Sequence, residues 1–210
     1  MRSEIRHARV WFLANSCPTG LLMTRPKLDW FLFACAGEAS LGLLAVALGY
    51  ALHQPPTARL HWRFADAALG LAASVPPLLW FVSLWKFEPV LLRDIRLVLE
   101  QTVQPLFATW SIFQLAVISA LAGVGEELLF RGLIQERLSA VLGPFSALVV
   151  SSLLFGCVHP ITWNYAWVTA LIGVYLGGLM MATGNLLCPI VTHAAYDFLA
   201  LVYFLRIRRQ

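Results

Sequence analysis

Charge is what this chain has least of. Asp, Glu, Lys and Arg make up 12% of its 210 residues, about half the share usual in a soluble domain. Hydrophobic residues make up 60%, and the mean hydropathy is +0.75. These figures exclude an ordinary soluble domain and point to an integral membrane protein, one compact bundle in a chain too short for two large domains. Cysteine is scarce as well. Cys17, Cys35, Cys157 and Cys188 are scattered, show neither disulfide nor metal-ligand spacing, and read as packing residues. Low-complexity segments and long repeats are missing. So is a Gly-Xaa-Ser-Xaa-Gly elbow; Ser151 and Ser152 precede His159 by eight and seven residues without a strained turn, which leaves a serine nucleophile unsupported. No His-Glu-Xaa-Xaa-His occurs. The net charge of +4 needs no nucleic acid, because the arginines gather at the chain ends and between apolar runs, as in membrane proteins.

What remains is a series of apolar runs. They predict an all-α integral membrane bundle of about six transmembrane helices, at 30–52, 67–85, 107–124, 145–159, 163–182 and 186–205. Residues 1–27 read as a basic arm with an interfacial segment. Val10–Leu13 is too short for a secretory core, and Ala14-Asn15-Ser16-Cys17 only faintly suggests a lipoprotein site. The loop 53–65 holds His53 and His61, which read as surface histidines. Pro76-Pro77 predicts a kink, and Trp80 and Trp85 suit an interfacial belt. Along 86–106, Leu92, Ile95 and Leu99 repeat at helical spacing opposite Arg93, Asp94, Arg96 and Glu100, the pattern of an interfacial amphipathic helix. The stretch 126–142 is amphipathic and stops at Gly143-Pro144. Gly173 and Gly177 allow close helix approach, and Thr183-Gly184-Asn185 makes a turn. The chain divides at 1–106, with the basic arm, two spans and the connector, and 107–205, the functional core. Six spans with basic ends put both termini in the cytoplasm.

The rare charges inside apolar runs are functional candidates. Gly125-Glu126-Glu127-Leu128-Leu129-Phe130-Arg131-Gly132 holds three of them, directly after the apolar run 112–124. Glu127 and Arg131 are four apart, share a helix face, and stand in the favourable order for an ion pair. Glu126 lies about 100° further round, lacks an obvious local partner, and is available as a general base. Phe155 and His159 share a face four apart, as do His193 and Asp197. Glu38 stands alone in the first span and reads as a protonated or hydrogen-bonded structural carboxyl, with a polar contact inside the bundle or a place on a substrate path as the alternatives. Three helices thus bring ionisable groups to membrane depth, and buried charges cluster because each is costly alone. Three uses are open. Glu126, His159 and His193 could hold zinc with water in the fourth place. Without metal or other cofactor, Glu126 and His159 could deprotonate a water that attacks an amide, with His193 and Asp197 facing the oxyanion. The same residues could also serve a proton or ion path, or a non-catalytic scaffold.

Glu126-Glu127-Xaa3-Arg131, Phe155-Xaa3-His159 and His193-Xaa3-Asp197, in that order on three helices, resemble the motifs of the CPBP family of intramembrane proteases. This is the CAAX protease and bacteriocin-processing, or Abi, family, which includes the Rce1-type prenyl-protein endopeptidases. The approach Thr183-Gly-Asn-Leu-Leu-Cys-Pro-Ile-Val-Thr-His193 is also similar. The resemblance covers about 107–205. It implies a glutamic membrane endopeptidase in a bacterial inner or plasma membrane, acting on a membrane-anchored or lipidated protein or peptide: a CAAX-type protein, a bacteriocin leader or a C-terminal sorting signal. It implies that Glu126 and His159 activate the water, that Glu127 and Arg131 support them, and that His193 and Asp197 supply the oxyanion side. Eukaryotic Rce1-type members usually carry Asn at the last position, where this chain has Asp197, and bacterial members vary there. An ionised Asp197 would repel an oxyanion, so Asp197 is expected to be protonated or to orient His193.

Overall fold

Helices form wherever the apolar runs reach membrane length, because only intra-segment hydrogen bonds satisfy a backbone that lipid surrounds. A computed structural model gives the fold and describes residues 27–87, 89 and 92–208. The basic arm, Val10–Leu13 and the motif ending at Cys17 lie outside the described residues. The chain divides into two units, Met1–Phe33 and Ala34–Gln210. Of the first, only the beginning of α1 (Lys27–Ala51) is described, with Trp30 and Phe33 in edge-to-face contact.

In the second unit, α2 (Phe64–Ala73) and α3 (Val75–Phe87) join at Ser74 into a 24-residue span. The break comes just before the two prolines. Pro77 has no N–H for the carbonyl four residues back, Ala73, and the Tyr175 hydroxyl donates to that carbonyl at 2.8 Å. Next come α4 (Arg93–Val98), a π-helical stretch (Leu99–Val103) and α5 (Gln104–Phe107). This is the expected amphipathic helix: Ile95 and Leu99 are buried, while Arg93 and Glu100 are exposed. Its polar side is tied down twice. Asn164 donates to Asp94 at 3.1 Å, and Arg208 to Glu100 at 3.1 Å. Arg208 also covers the face of Trp85, which stacks on Phe204, so Trp85 is a packing residue rather than a free interfacial anchor.

The third span begins five residues later than the apolar run suggested. Arg206 donates to the carbonyls of Ala108 and Trp110, and Ser111 and Gln114 cap α6 (Ile112–Glu127) reciprocally. A π-helical stretch (Leu128–Gln135) and α7 (Glu136–Leu142) continue it, making one 31-residue span, Ile112–Leu142. The charged motif therefore stands in the middle of a span, not at its end. Gly143 and Gly184 take positive φ, +79° and +62°, and end α7 and α9 where the turn signals put the stops. Between them lie α8 (Pro144–Cys157) and α9 (Trp163–Thr183); α10 (Leu187–Val202) follows, extended by a π turn (Tyr203–Ile207).

Among the described residues, five helices are long and apolar enough to cross a bilayer. The expected sixth, α8, is apolar but has 14 residues, a rise of about 21 Å against a core of about 30 Å. Packing around the site uses the small residues. Arg131 and Gln135 donate to the backbone carbonyls of Gly173 and Gly177 at 3.1 and 3.3 Å, so two residues four apart meet two carbonyls four apart on α9. Asn185 fixes the loop before α2: it accepts from the His61 and Leu187 amides and donates to the His61 carbonyl and Asp66. The His53 and His61 side chains are exposed, as expected. Of the described cysteines Cys188 is buried, Cys35 is half-buried and Cys157 is exposed, so only Cys188 is fully a packing residue.

Candidate active site

Glu127 ties its own span to α10. Its side chain is fully buried, and Oε1 accepts from Arg131 Nη1 at 2.8 Å, closing the ion pair that the spacing of four predicts. The same oxygen accepts from His193 Nδ1 on α10, again at 2.8 Å. Arg131 is 1% exposed. Its guanidinium lies 4.4 Å from the centroid of the Phe155 ring and donates to the Gly173 carbonyl. A buried cation is thus met by a carboxylate, a carbonyl and an aromatic face, the set of partners that makes its burial tolerable.

Phe155 sits at the hub of this packing. Its ring centroid is 5.0 Å from that of Phe130, 4.9 Å from His159 and 6.1 Å from His193. Its carbonyl accepts from His159 Nδ1 at 2.8 Å. That bond fixes the tautomer of a neutral His159: the proton is on Nδ1, and Nε2 is left as a bare acceptor. Nε2 points at Glu126 Oε1, 3.9 Å away. Glu126 Oε2 lies 4.0 Å from His193 Nε2, and His193 Nε2 is 3.4 Å from Asp197 Oδ2.

Glu126 is therefore faced by two imidazoles, each at a distance too long for a direct hydrogen bond and suited to one intervening small atom group. Its Oε2 is buried without a hydrogen-bond partner. Glu127 and Glu126, adjacent in sequence, have opposite situations: one holds two bonds on one oxygen, the other holds none. The seven residues singled out by sequence, Glu126, Glu127, Arg131, Phe155, His159, His193 and Asp197, all fall in this one cluster. The zinc reading needs Glu126, His159 and His193 as ligands, and among the described residues no group of His, Cys, Asp or Glu has metal-holding geometry.

A cavity of about 320 Å³ opens beside Glu126 and Asp197. Its walls are mostly apolar, with Phe81, Leu84, Ile118 and Phe204 among them; Leu99 and Val103 of the amphipathic segment supply one side. Sequence reasoning missed Ser119, Tyr165 and Tyr196 as lining residues. Ser119 could have been found, because it precedes Glu126 by seven residues and shares its helix face. Glu38 also lines the cavity, and its Oε2 is buried without a hydrogen-bond partner. Of the two expected states of this carboxyl, protonated or hydrogen-bonded, the hydrogen bond is not made at that oxygen.

Residues 108–199 match the family model described as Type II CAAX prenyl endopeptidase Rce1-like. This segment belongs to the Rce1-like family. All seven clustered residues lie inside the Rce1-like segment; Glu38 and the amphipathic helix lie outside it. Membership implies a protease. With five apolar helices beside it, the chain is an integral membrane protein, and a protease of this family acts on membrane-anchored substrates. Comparison with curated proteins and with solved structures finds no match.

Proposed function

We propose that this chain is an intramembrane glutamic endopeptidase that cleaves a membrane-anchored or lipidated polypeptide with a water activated by Glu126 and His159. The observation that carries this reading is the pair of gaps around Glu126, 3.9 Å to His159 Nε2 and 4.0 Å to His193 Nε2. A water in the first gap donates to the Glu126 carboxylate and to the bare His159 nitrogen. Glu126 takes the proton as the oxygen attacks the scissile carbonyl carbon. The oxyanion develops on the side of His193, which Glu127 anchors through Nδ1. A proton on Nε2 makes His193 a donor to that oxyanion, and Asp197 at 3.4 Å orients the ring. Glu126 then passes its proton to the leaving nitrogen as the C–N bond breaks, giving one carboxyl and one amine product. No step needs a cofactor.

The placement of both termini in the cytoplasm rests on the basic ends and an even number of crossings, which requires the short α8 to count as one. The catalytic reading is tested with purified protein in proteoliposomes and a farnesylated Cys-aliphatic-aliphatic-Xaa peptide, read by mass spectrometry. The expected result is cleavage by wild type, with loss of at least about 100-fold in Glu126→Gln and His159→Ala. Cleavage that survives Glu126→Gln, or that a zinc chelator abolishes, contradicts the metal-free mechanism.

A further inference from the structure

The cavity contains more acid than the proposed hydrolysis uses. Glu126 is the base and Asp197 is engaged with His193, whereas Glu38 has no assigned role. Glu38 is brought in by a close backbone approach. A Cβ on Gly125 would stand 2.5 Å from the Glu38 carbonyl oxygen, so the glycine beside Glu126 is what lets α1 dock at that level. There the Glu38 side chain lines the same cavity as Glu126 and Asp197 and lies within electrostatic reach of Asp197 and His193. No lysine or arginine lines the cavity among the described residues. Arg131, the buried cation nearby, is already taken up by Glu127 and Gly173.

A second observation is a buried hydroxyl further along the cavity wall. Ser119 is 2% exposed and lines the cavity, and its Oγ has no hydrogen-bond partner. Seven residues along α6 put it about 10 Å from Glu126, the length of roughly three residues of extended peptide. The cavity thus offers unpartnered polar atoms at two places: the carboxylates beside the reacting centre and a hydroxyl further along an otherwise apolar wall. A hydrocarbon chain alone would leave all of them unsatisfied, at a cost. An extended peptide would satisfy both.

We infer that Glu38 is a specificity-determining residue, whose carboxylate binds a positively charged side chain, Lys or Arg, of the substrate close to the scissile bond. The inference rests on the endopeptidase reading and adds the substrate's charge. It accounts for an acidic cavity that no lysine or arginine lines among the described residues: His193 is engaged by Glu127 and Asp197, the partner of Glu38 arrives with the substrate, and an unmatched anionic side chain is turned away.

The test uses the full chain in nanodiscs with two sets of labelled peptides, farnesylated and N-myristoylated. Each peptide carries Lys, norleucine or Glu at successive positions. Binding is read by fluorescence anisotropy and cleavage by mass spectrometry. The expected result is a position where Lys binds at least about tenfold tighter than norleucine, with Glu weaker than both. In Glu38→Gln that ratio falls to about one, and in Glu38→Lys the order inverts to favour Glu. Thermal unfolding of each variant confirms that it is folded, and Glu38→Ala serves if Glu38→Lys is not. Equal binding of Lys and norleucine peptides at every position overturns the inference, as does a Lys preference that survives Glu38→Gln. Failure of the endopeptidase reading looks different: charge-selective binding with no cleavage of any peptide.

Discussion

Glu126 and Glu127 are chemically identical neighbours, and the structure assigns them opposite energetic weights. In Glu127→Ala, Arg131 stays where it is, 1% exposed, with the Gly173 carbonyl and the Phe155 face as its remaining partners. Removing one member of a buried ion pair costs about 3–5 kcal/mol, because the other charge is left uncompensated. His193 Nδ1 loses its acceptor in the same step, which places the expected loss toward the upper end of that range. Glu126→Gln breaks no hydrogen bond: Oε2 has no partner, and the nearest imidazole nitrogen to Oε1 is 3.9 Å away. Its expected cost is below about 1 kcal/mol. A third variant separates charge burial from shape. In the double substitution Glu127→Gln with Arg131→Met both charges disappear, and the cost should fall well below that of Glu127→Ala, since neutral replacements of a buried pair are often tolerated. The assay is unfolding in mixed micelles titrated with dodecyl sulfate, followed by circular dichroism. A Glu127→Ala protein within about 1 kcal/mol of wild type refutes the reasoning, as does an equal loss in Glu126→Gln.

Other consequences follow from single contacts. His159→Ala should keep the fold, since the side chain is 27% exposed and its ring bonds to the carbonyl of Phe155 in the last turn of the preceding helix; proteolysis should drop at least about 100-fold, as measured on purified protein. Gly125→Ala places a methyl 2.5 Å from the Glu38 carbonyl oxygen and should cost about 1–3 kcal/mol in the same unfolding assay. Tyr175→Phe removes the donor to the carbonyl that Pro77 leaves unpaired and should cost about 1 kcal/mol; a neutral result there means the carbonyl finds another partner.

The helices and the pairs four residues apart were legible because they depend on local spacing, although His159 lies two residues past the end of α8 rather than within it. Glu127 with Arg131, Phe155 with His159 and His193 with Asp197 are each four apart, and each pair meets in the structure. The turn residues Gly143 and Gly184 marked two helix ends for the same reason. What could not be read was contact between distant segments. The bond from His193 to Glu127 joins residues 66 apart, and no periodicity carries that information. Glu38 looked isolated because its neighbours come from α6 and α10, far along the chain. The start of α6 was misplaced because apolar composition runs on through Ala108 to Trp110, while the backbone there turns to meet Arg206. The length of the sixth apolar helix was not legible for a related reason: hydropathy reads apolar character, and α8 has it over only 14 residues.

The central claim is that Glu126 performs proteolysis. It is tested most directly by comparing the termini of membrane peptides in cells carrying wild type or Glu126→Gln at matched abundance. Termini found only with wild type are the predicted result, and they name candidate substrates. Identical termini in the two, with the variant folded and the candidate substrates detected, contradict the account and favour a non-catalytic scaffold or transport role for the same buried cluster.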